Sequence, residues 1–304
     1  MRIEVLGLDK HFKNVHAVQD LSFTVEPGRV TGFLGPNGSG KSTTMRLMLG
    51  LDNGSGQTLF DGKKLTAHSP VTRTVGAHLD AKFFHPKRTA YSHLRMLGAE
   101  AGISKARVNE VLQLVGLESV AKKRPGGFSL GMGQRLGLAG AILAEPQVLM
   151  LDEPANGLDP QSIQWLRDFL KFYASTGKSV LVSSHLLSEM QLLADDVVVI
   201  ARGKLIAAES MSKFLGRSSG SAVVVRAGEA TRLGQLLHNM GIESTANGLN
   251  TLTITNQTTD RIGEVAYANG IKLSELSSQT ASLETVFLEL TDSGQEYRLG
   301  GEAK

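Results

Sequence analysis

The 304 residues are 41% hydrophobic and 20% charged, enough for a large core in one or two domains; they include no cysteine, which excludes disulfides, thiolate metal sites and cysteine nucleophiles and accords with a reducing compartment. The net charge of +3 is unevenly spread: residues 218–304 hold 6 Lys and Arg against 10 Asp and Glu, a balance of −4, and the rest hold 26 against 19, a balance of +7. A basic front part suits a polyphosphate ligand or a membrane surface, and equally an ordinary solvated exterior.

The N-terminus, MRIEVLGLDKHF, lacks the apolar segment of a signal peptide. No apolar run approaches the ~20 residues of a spanning helix, so a soluble or peripheral protein is expected. Residues 2–30 read as β-rich. The apolar strand Val30–Leu34 then runs into Gly35, Pro36, Asn37, Gly38, Ser39, Gly40, Lys41, Ser42 and Thr43, with a helix expected over residues 44–49. This is the G-x-x-x-x-G-K-[ST] pattern in its strand–loop–helix setting, a phosphate-binding loop. The glycines let successive N–H groups point inward as a nest for phosphate oxygens, and the following helix adds its positive end. Lys41 would place a charge between the β- and γ-phosphates, and Ser42 would offer a hydroxyl to Mg²⁺. The loop calls for a nucleotide without choosing between ATP and GTP, although no N/T-K-x-D base-reading motif stands in a suitable loop.

Residues 74–79 read as a strand leading to Asp80. A helical insert is expected over about 81–140, with amphipathic helices at 89–97 and 105–115. Gly126 and Gly127 would give a flexible approach to Phe128, Ser129, Leu130, Gly131, Met132, Gly133, Gln134 and Arg135. The apolar run Val148, Leu149, Met150, Leu151 ends in Asp152 and Glu153, the pattern of a buried parallel strand delivering two acids to its C-terminal edge. Asp152 would hold Mg²⁺ through water, and Glu153 would face the attacking water as general base or positioner. Two such buried carboxylates with no metal nearby would be expensive. The strand at 179–184 ends in His185. A lone His at a strand end is more often structural, but here a γ-phosphate contact is geometrically reasonable.

A hairpin over Asp196–Ala201 and 205–208, turning at Arg202, Gly203 and Lys204, closes the first domain. Residues 214–221, rich in Gly and Ser, read as a linker. Beyond it come a strand at 222–226, a helix at 232–240, a hairpin of 243–245 and 251–255 about Ala246, Asn247 and Gly248, a helix at 261–268 and a strand at 272–276. That βαββαβ order suggests a ferredoxin-like split βαβ unit. A closing helix is expected over 282–290 and a disordered tail after about 293. This second domain shows no catalytic cluster, and its expected role is regulatory or dimer-stabilising.

Over residues 1–217 the order and spacing of these motifs resemble the ATP-binding-cassette (ABC) ATPases. Residues 35–43 match the Walker A motif, 148–153 Walker B, 155–160 the D-loop, His185 the switch histidine, and 128–135 the signature normally written L-S-G-G-Q-x-Q-R. The resemblance implies an α/β fold: a P-loop NTPase cassette with a RecA-like core, an antiparallel β subdomain and a helical subdomain, then a small C-terminal α+β domain over 218–293. It implies an ATP hydrolase that uses ATP and Mg²⁺ and works as a head-to-tail dimer, expected to be a homodimer. Ser129 and Gly131 of one copy would contact the γ-phosphate held by the other. Phe12 falls where the family places an aromatic that stacks on adenine, usually Tyr; the other reading is an edge-strand Phe in the core. His85, Pro86, Lys87 and Arg88 form either a solvated turn or part of a permease or membrane contact.

Two departures stand out. The signature carries Leu130 and Met132 in place of small or polar residues, a variant familiar in subunits resembling the drug, bacteriocin-type and sodium exporters of the ABC-2 class. Asp80 stands where the Q-loop Gln normally touches Mg²⁺ and the attacking water; it would still ligate Mg²⁺ while retuning hydrolysis. The segment SLETVFLELT is also typical of ABC-2-like subunits. The resemblance thus implies an ATP-binding subunit at the cytoplasmic face of the cell membrane, driving a separate polytopic permease in export of a drug, peptide or ion. The alternative is a soluble ABC ATPase of translation, cluster assembly or DNA repair. A single cassette and a short gap without heptads between P-loop and signature weigh against it, and no nucleic-acid partner is expected. A scaffold with little hydrolysis, suggested by Asp80 and Met132, is opposed by intact Glu153 and His185.

Overall fold

The N-terminal strand β1 (Ile3–Phe12) turns its apolar residues Ile3, Val5 and Leu8 inward and pairs antiparallel with β2 (Val15–Val25) in a computed structural model of the protein. The described residues are 1–80, 84–85, 87–217, 222–248, 250–255 and 257–279, with 283, 284, 286 and 287. They fall into two units, divided between Met211 and Ser212.

In the first unit β3 (Val30–Leu34) is buried at every residue, and α1 (Lys41–Met48) follows it. The strands β4 (Ser55–Phe60) and β5 (Lys63–Lys64) then return to the first sheet, whose order is β2-β1-β4-β5. The β-rich layer is therefore not confined to residues 2–30: Ile3 pairs with Phe60 across β1 and β4, and both are fully buried. A helical turn, α2 (Val71–Thr74), leads into β6 (Val75–His78). The helices α3 (Ala90–Leu97), α4 (Lys105–Leu114) and α5 (Leu130–Ile142) occupy the expected insert. Gly126 and Gly127 are not a loose approach to it. They complete a 3₁₀ turn headed by the buried Pro125, closed by a bond from Phe128 N to Pro125 O of 2.9 Å.

The remaining elements of this unit are β7 (Val148–Asp152), α6 (Pro160–Ser175), β8 (Ser179–Ser184), α7 (Leu187–Leu193), β9 (Asp196–Ala201) and β10 (Lys204–Ser210). The second sheet has the order β10-β9-β3-β8-β7-β6; its pairs are parallel except that between β10 and β9. Covered on both faces, β7 is an apolar run up to Asp152 and β8 is buried at every residue, neither showing the alternation of a half-exposed strand. Because β3, β8 and β7 are adjacent and parallel, the chain leaves all three at one edge. The register sets Leu34 beside Ser184 and Asp152 beside Ser183. The glycine loop, the two carboxylates and His185 therefore share one crevice.

The second unit begins within α8 (Met211–Leu215), so the segment read as a linker from 214 starts as helix, with Phe214 fully buried. Residues 218–221 of that segment lie outside the described residues. The strands and helices β11 (Ala222–Ala227), α9 (Ala230–Asn239), β12 (Ser244–Ala246), β13 (Thr251–Ile254), α10 (Thr259–Ala268) and β14 (Leu273–Gln279) follow. The sheet order β12-β13-β11-β14, with every pair antiparallel, is the split βαβ arrangement expected from the element order. Its core is made by Val223, Val225, Leu233, Leu237, Ile254 and Ile262. Of the expected closing helix, Leu283, Glu284, Val286 and Phe287 are helical; its other residues and the tail lie outside the described residues. Among the described residues, no helix is long and apolar enough to cross a membrane.

Candidate functional site

The glycine loop is shaped by backbone proximity. Gly40 has φ +104°, and a Cβ there would lie 2.4 Å from Ala17 O, so no side chain fits between loop and β2. Gly40 is also the residue before α1. It offers no side-chain cap, so the amides of Lys41, Ser42 and Thr43 present the helix's positive end without a side-chain acceptor. Asn37 and Gly38 are exposed at the tip, and Ser39 Oγ is buried with no hydrogen-bond partner. A nest of amides with an orphaned hydroxyl is suited to a polyanion.

Lys41 is 7% exposed. Its ammonium donates to Gly35 O at 2.7 Å and Pro36 O at 3.3 Å, and stands 3.8 Å from Glu153 Oε1. Burial pushes its pKa down, opposed by the charges of Glu153 and Asp152. Glu153, with φ +50°, turns its side chain back over the crevice directly after β7. Its other oxygen, Oε2, lies 2.7 Å from His185 Nδ1 and accepts from His185 N at 3.3 Å. One carboxylate thus bridges the loop lysine and the strand-end histidine. With Nδ1 occupied by Glu153, the imidazole's Nε2 is left for another partner.

Asp152 is held by a residue the motifs did not single out. Ser183 Oγ donates to Asp152 Oδ1 and accepts from Glu153 N at 2.9 Å. The signal in the sequence was present: Ser183 and Ser184 are polar residues that follow the apolar run of residues 180–182 at the end of a fully buried strand, where hydroxyls need partners.

At the signature, Ser129 caps α5, its Oγ accepting from Met132 N at 3.2 Å. Leu130, one of the two departures, lies over the D-loop: a Cβ on Gly157 would stand 2.3 Å from Leu130 Cδ2. Gly131 faces the same loop, its Cβ position 3.1 Å from Gly157 O. Gln134, buried on the next turn, joins two further groups. Its Oε1 is 2.7 Å from His78 Nε2, and its amide nitrogen donates to Glu153 O at 3.4 Å. Because the amide N–H faces Glu153, the amide oxygen faces His78, and His78 Nε2 carries the proton. Burial pushes the His78 pKa down. This chain ties β6 and α5 to the backbone of Glu153.

Asp80 is exposed just beyond β6, and its charge, like that of Asp152, acts on His78. Phe12, at the end of β1, is 47% exposed with the Lys10 ammonium 4.7 Å from its ring centroid, so it does not belong to the core. Of the loop at 85–88, Arg88 N donates to His85 O at 3.1 Å and Lys87 N to His85 Nδ1 at 3.2 Å; Pro86 lies outside the described residues.

Comparison with known proteins places this geometry. The ABC transporter family matches residues 18–156, and a domain of unknown function (DUF8746) matches residues 221–284. The uncharacterized ABC transporter ATP-binding protein YhcH of Bacillus subtilis (strain 168) is 35% identical, over 97% of this chain and 97% of its own. The bacitracin transport ATP-binding protein BcrA of Enterococcus faecalis is 31% identical, over 96% of this chain and 97% of its own. The dimeric post-hydrolysis structure of the ATP-binding cassette MJ0796, bound to ADP and Pi, covers 69% of this chain and 98% of its own with a TM-score of 0.60 at 22% identity, a likeness of fold. Its glycine loop and paired carboxylates, and its near-full-length similarity to these proteins, make the chain a member of the ABC transporter ATP-binding family: an ATP-binding subunit that hydrolyses ATP.

Proposed function

We propose that two copies of this chain close head to tail around two ATP molecules and drive a separate membrane permease, exporting a drug, peptide or ion from the cytoplasmic face of the membrane. The observation that carries the catalytic part is the convergence of Lys41, Glu153 and His185, with Glu153 2.7 Å from the histidine and 3.8 Å from the lysine. Lys41 and the amides from Gly35 to Thr43 receive the phosphates, and Phe12 stacks on the adenine. Glu153 orients the attacking water and takes its proton as the new oxygen–phosphorus bond forms and the β–γ bridge breaks. His185, held through Nδ1, turns Nε2 to the γ-phosphate. Ser42 at the start of α1, Asp152 at the end of β7 and Asp80 beyond β6 would serve as ligands of Mg²⁺, which when bound would supply positive charge to the phosphates.

Ser129 is exposed at the head of α5 beside Gly131, as a γ-phosphate contact from a second copy requires. The dimeric cassette among the fold neighbours supports the same reading. An apolar groove of about 540 Å³, lined in part by Leu51, Leu65, Val71, Leu79 and Leu97 and edged by Asp80, suits a helix of the permease. Similarity to a bacitracin transport protein supports export. Residues 1–217 act as the motor, and 218–293 as an accessory domain that regulates or steadies the dimer.

The test is tagged Glu153→Gln protein in MgATP. It should bind ATP, hydrolyse it about 10²- to 10⁴-fold more slowly and accumulate as a dimer in light scattering. Captured from native membranes, it should bring down a polytopic membrane protein. Normal hydrolysis would remove Glu153 from its role, an ATP-loaded monomer would remove the head-to-tail dimer, and only soluble partners would remove the transport reading.

A further inference from the structure

The β1–β2 hairpin carries a group of side chains that nothing in the nucleotide site uses. Asp9 and His11 stand two apart on β1, in a stretch where its pairing with β2 is irregular. His11 pairs directly with His16 across the hairpin. The three meet: Asp9 Oδ2 is 2.7 Å from His16 Nε2, Asp9 Oδ1 is 3.7 Å from His11 Nε2, and the two imidazoles stack with centroids 3.6 Å apart. One ligand atom from each residue lies within 4.8 Å of the other two.

Those separations suit a small cation. Ligand atoms at the zinc bond length of about 2.0–2.1 Å stand about 3.3 Å apart in a tetrahedron. The distances of 2.7 and 3.7 Å straddle that value, so modest rotation of exposed side chains completes the geometry. The carboxylate is already oriented, since Asp20 N donates to Asp9 Oδ2 at 3.3 Å. Two imidazole nitrogens and one carboxylate oxygen, with a fourth position open to water, form a donor set for a borderline divalent ion. Mg²⁺ and Ca²⁺ prefer oxygen alone. With no cysteine in the chain, no thiolate competes for such an ion.

We propose that Asp9, His11 and His16 bind one divalent transition-metal ion of the zinc class, cross-linking β1 to β2 next to Phe12. The ion would brace the hairpin at the end of β1 that carries Phe12, whose ring has the Lys10 ammonium 4.7 Å from its centroid. The binding does not depend on an adenine role for Phe12.

The experiment is a calorimetric titration of Zn²⁺ into the nucleotide-free full chain, with hydrogen exchange followed over residues 10–16. One ion per chain is expected, with slowed exchange in the hairpin. His11→Gln and Asp9→Asn should each weaken binding roughly 100-fold or more. His11 is the most exposed of the three, its side chain 60% accessible, so His11→Gln leaves the fold unchanged and circular dichroism checks it. No saturable binding, or binding equally tight in both variants, would overturn the proposal, the latter by placing the ion on other histidines.

Discussion

Replacing Gln134 by Met isolates the bond between β6 and the signature helix. Met has nearly the same volume, so packing around the buried site changes little. Its thioether is only a weak acceptor, so His78, which is 3% exposed, would keep an Nε2–H without a good partner, at a cost of about 1–3 kcal/mol. Loss of the longer bond to Glu153 O adds about 0.5–1 kcal/mol, for a total of about 1.5–4 kcal/mol. The chain has one tryptophan, Trp165, in α6 of the first unit, so its fluorescence in urea follows unfolding of that unit. Adding His78→Leu to Gln134→Met removes the orphaned group and should restore at least half of the loss. A single variant that loses less than about 0.5 kcal/mol, or a double variant that loses the sum of the two singles, would refute the account. A pH series provides a second check. His78 is held neutral, its folded pKa below the usual 6.5 because of burial. The unfolded chain therefore binds more protons below pH ~6.5. The contribution is complete above that value and declines as pH falls towards the folded pKa. His93, also pushed down by burial, acts in the same direction. Stability should fall from pH 7 to 5, and less steeply in the double variant.

Two further substitutions address the departures and the signature. Ser129→Ala removes the cap of α5, which should cost about 1 kcal/mol in the urea assay while lowering ATP turnover by about 10²-fold or more, because a contact to the reacting phosphate is lost as well. An effect on stability alone would confine Ser129 to capping. Asp80→Gln should raise steady-state ATP turnover by about fivefold, equivalent to about 1 kcal/mol of barrier, if the acid retunes hydrolysis. An unchanged rate would remove that idea.

Short-range chemistry was legible without coordinates. The glycine loop is written in consecutive residues whose backbone freedom and charge suffice for the pattern. The apolar runs of β3 and β7 announce strands buried on both faces. The βαββαβ order of the second unit follows from periodicity and turn residues, and its sheet order obeys it. What the linear pattern could not supply is lateral placement. Lys41, Glu153 and His185 come from three strand ends far apart in sequence, and the pairing of β3 with β8 and β8 with β7 makes them neighbours. The same pairing sets Ser183 on Asp152. It takes the packing of α5 against β6 to join Gln134 to His78, and the return of β4 to β1 to complete the N-terminal sheet. Phe12 was read as a platform for adenine, with a core position as the other reading, because a strand's period does not say which face lacks a neighbour; its exposure removes the core reading. The sequence by itself determined which residues are chemically equipped, since composition and spacing act along the chain. Only the tertiary structure decided which of them meet, because strand order and helix packing are contacts between distant segments, stabilised by burial that no local pattern encodes.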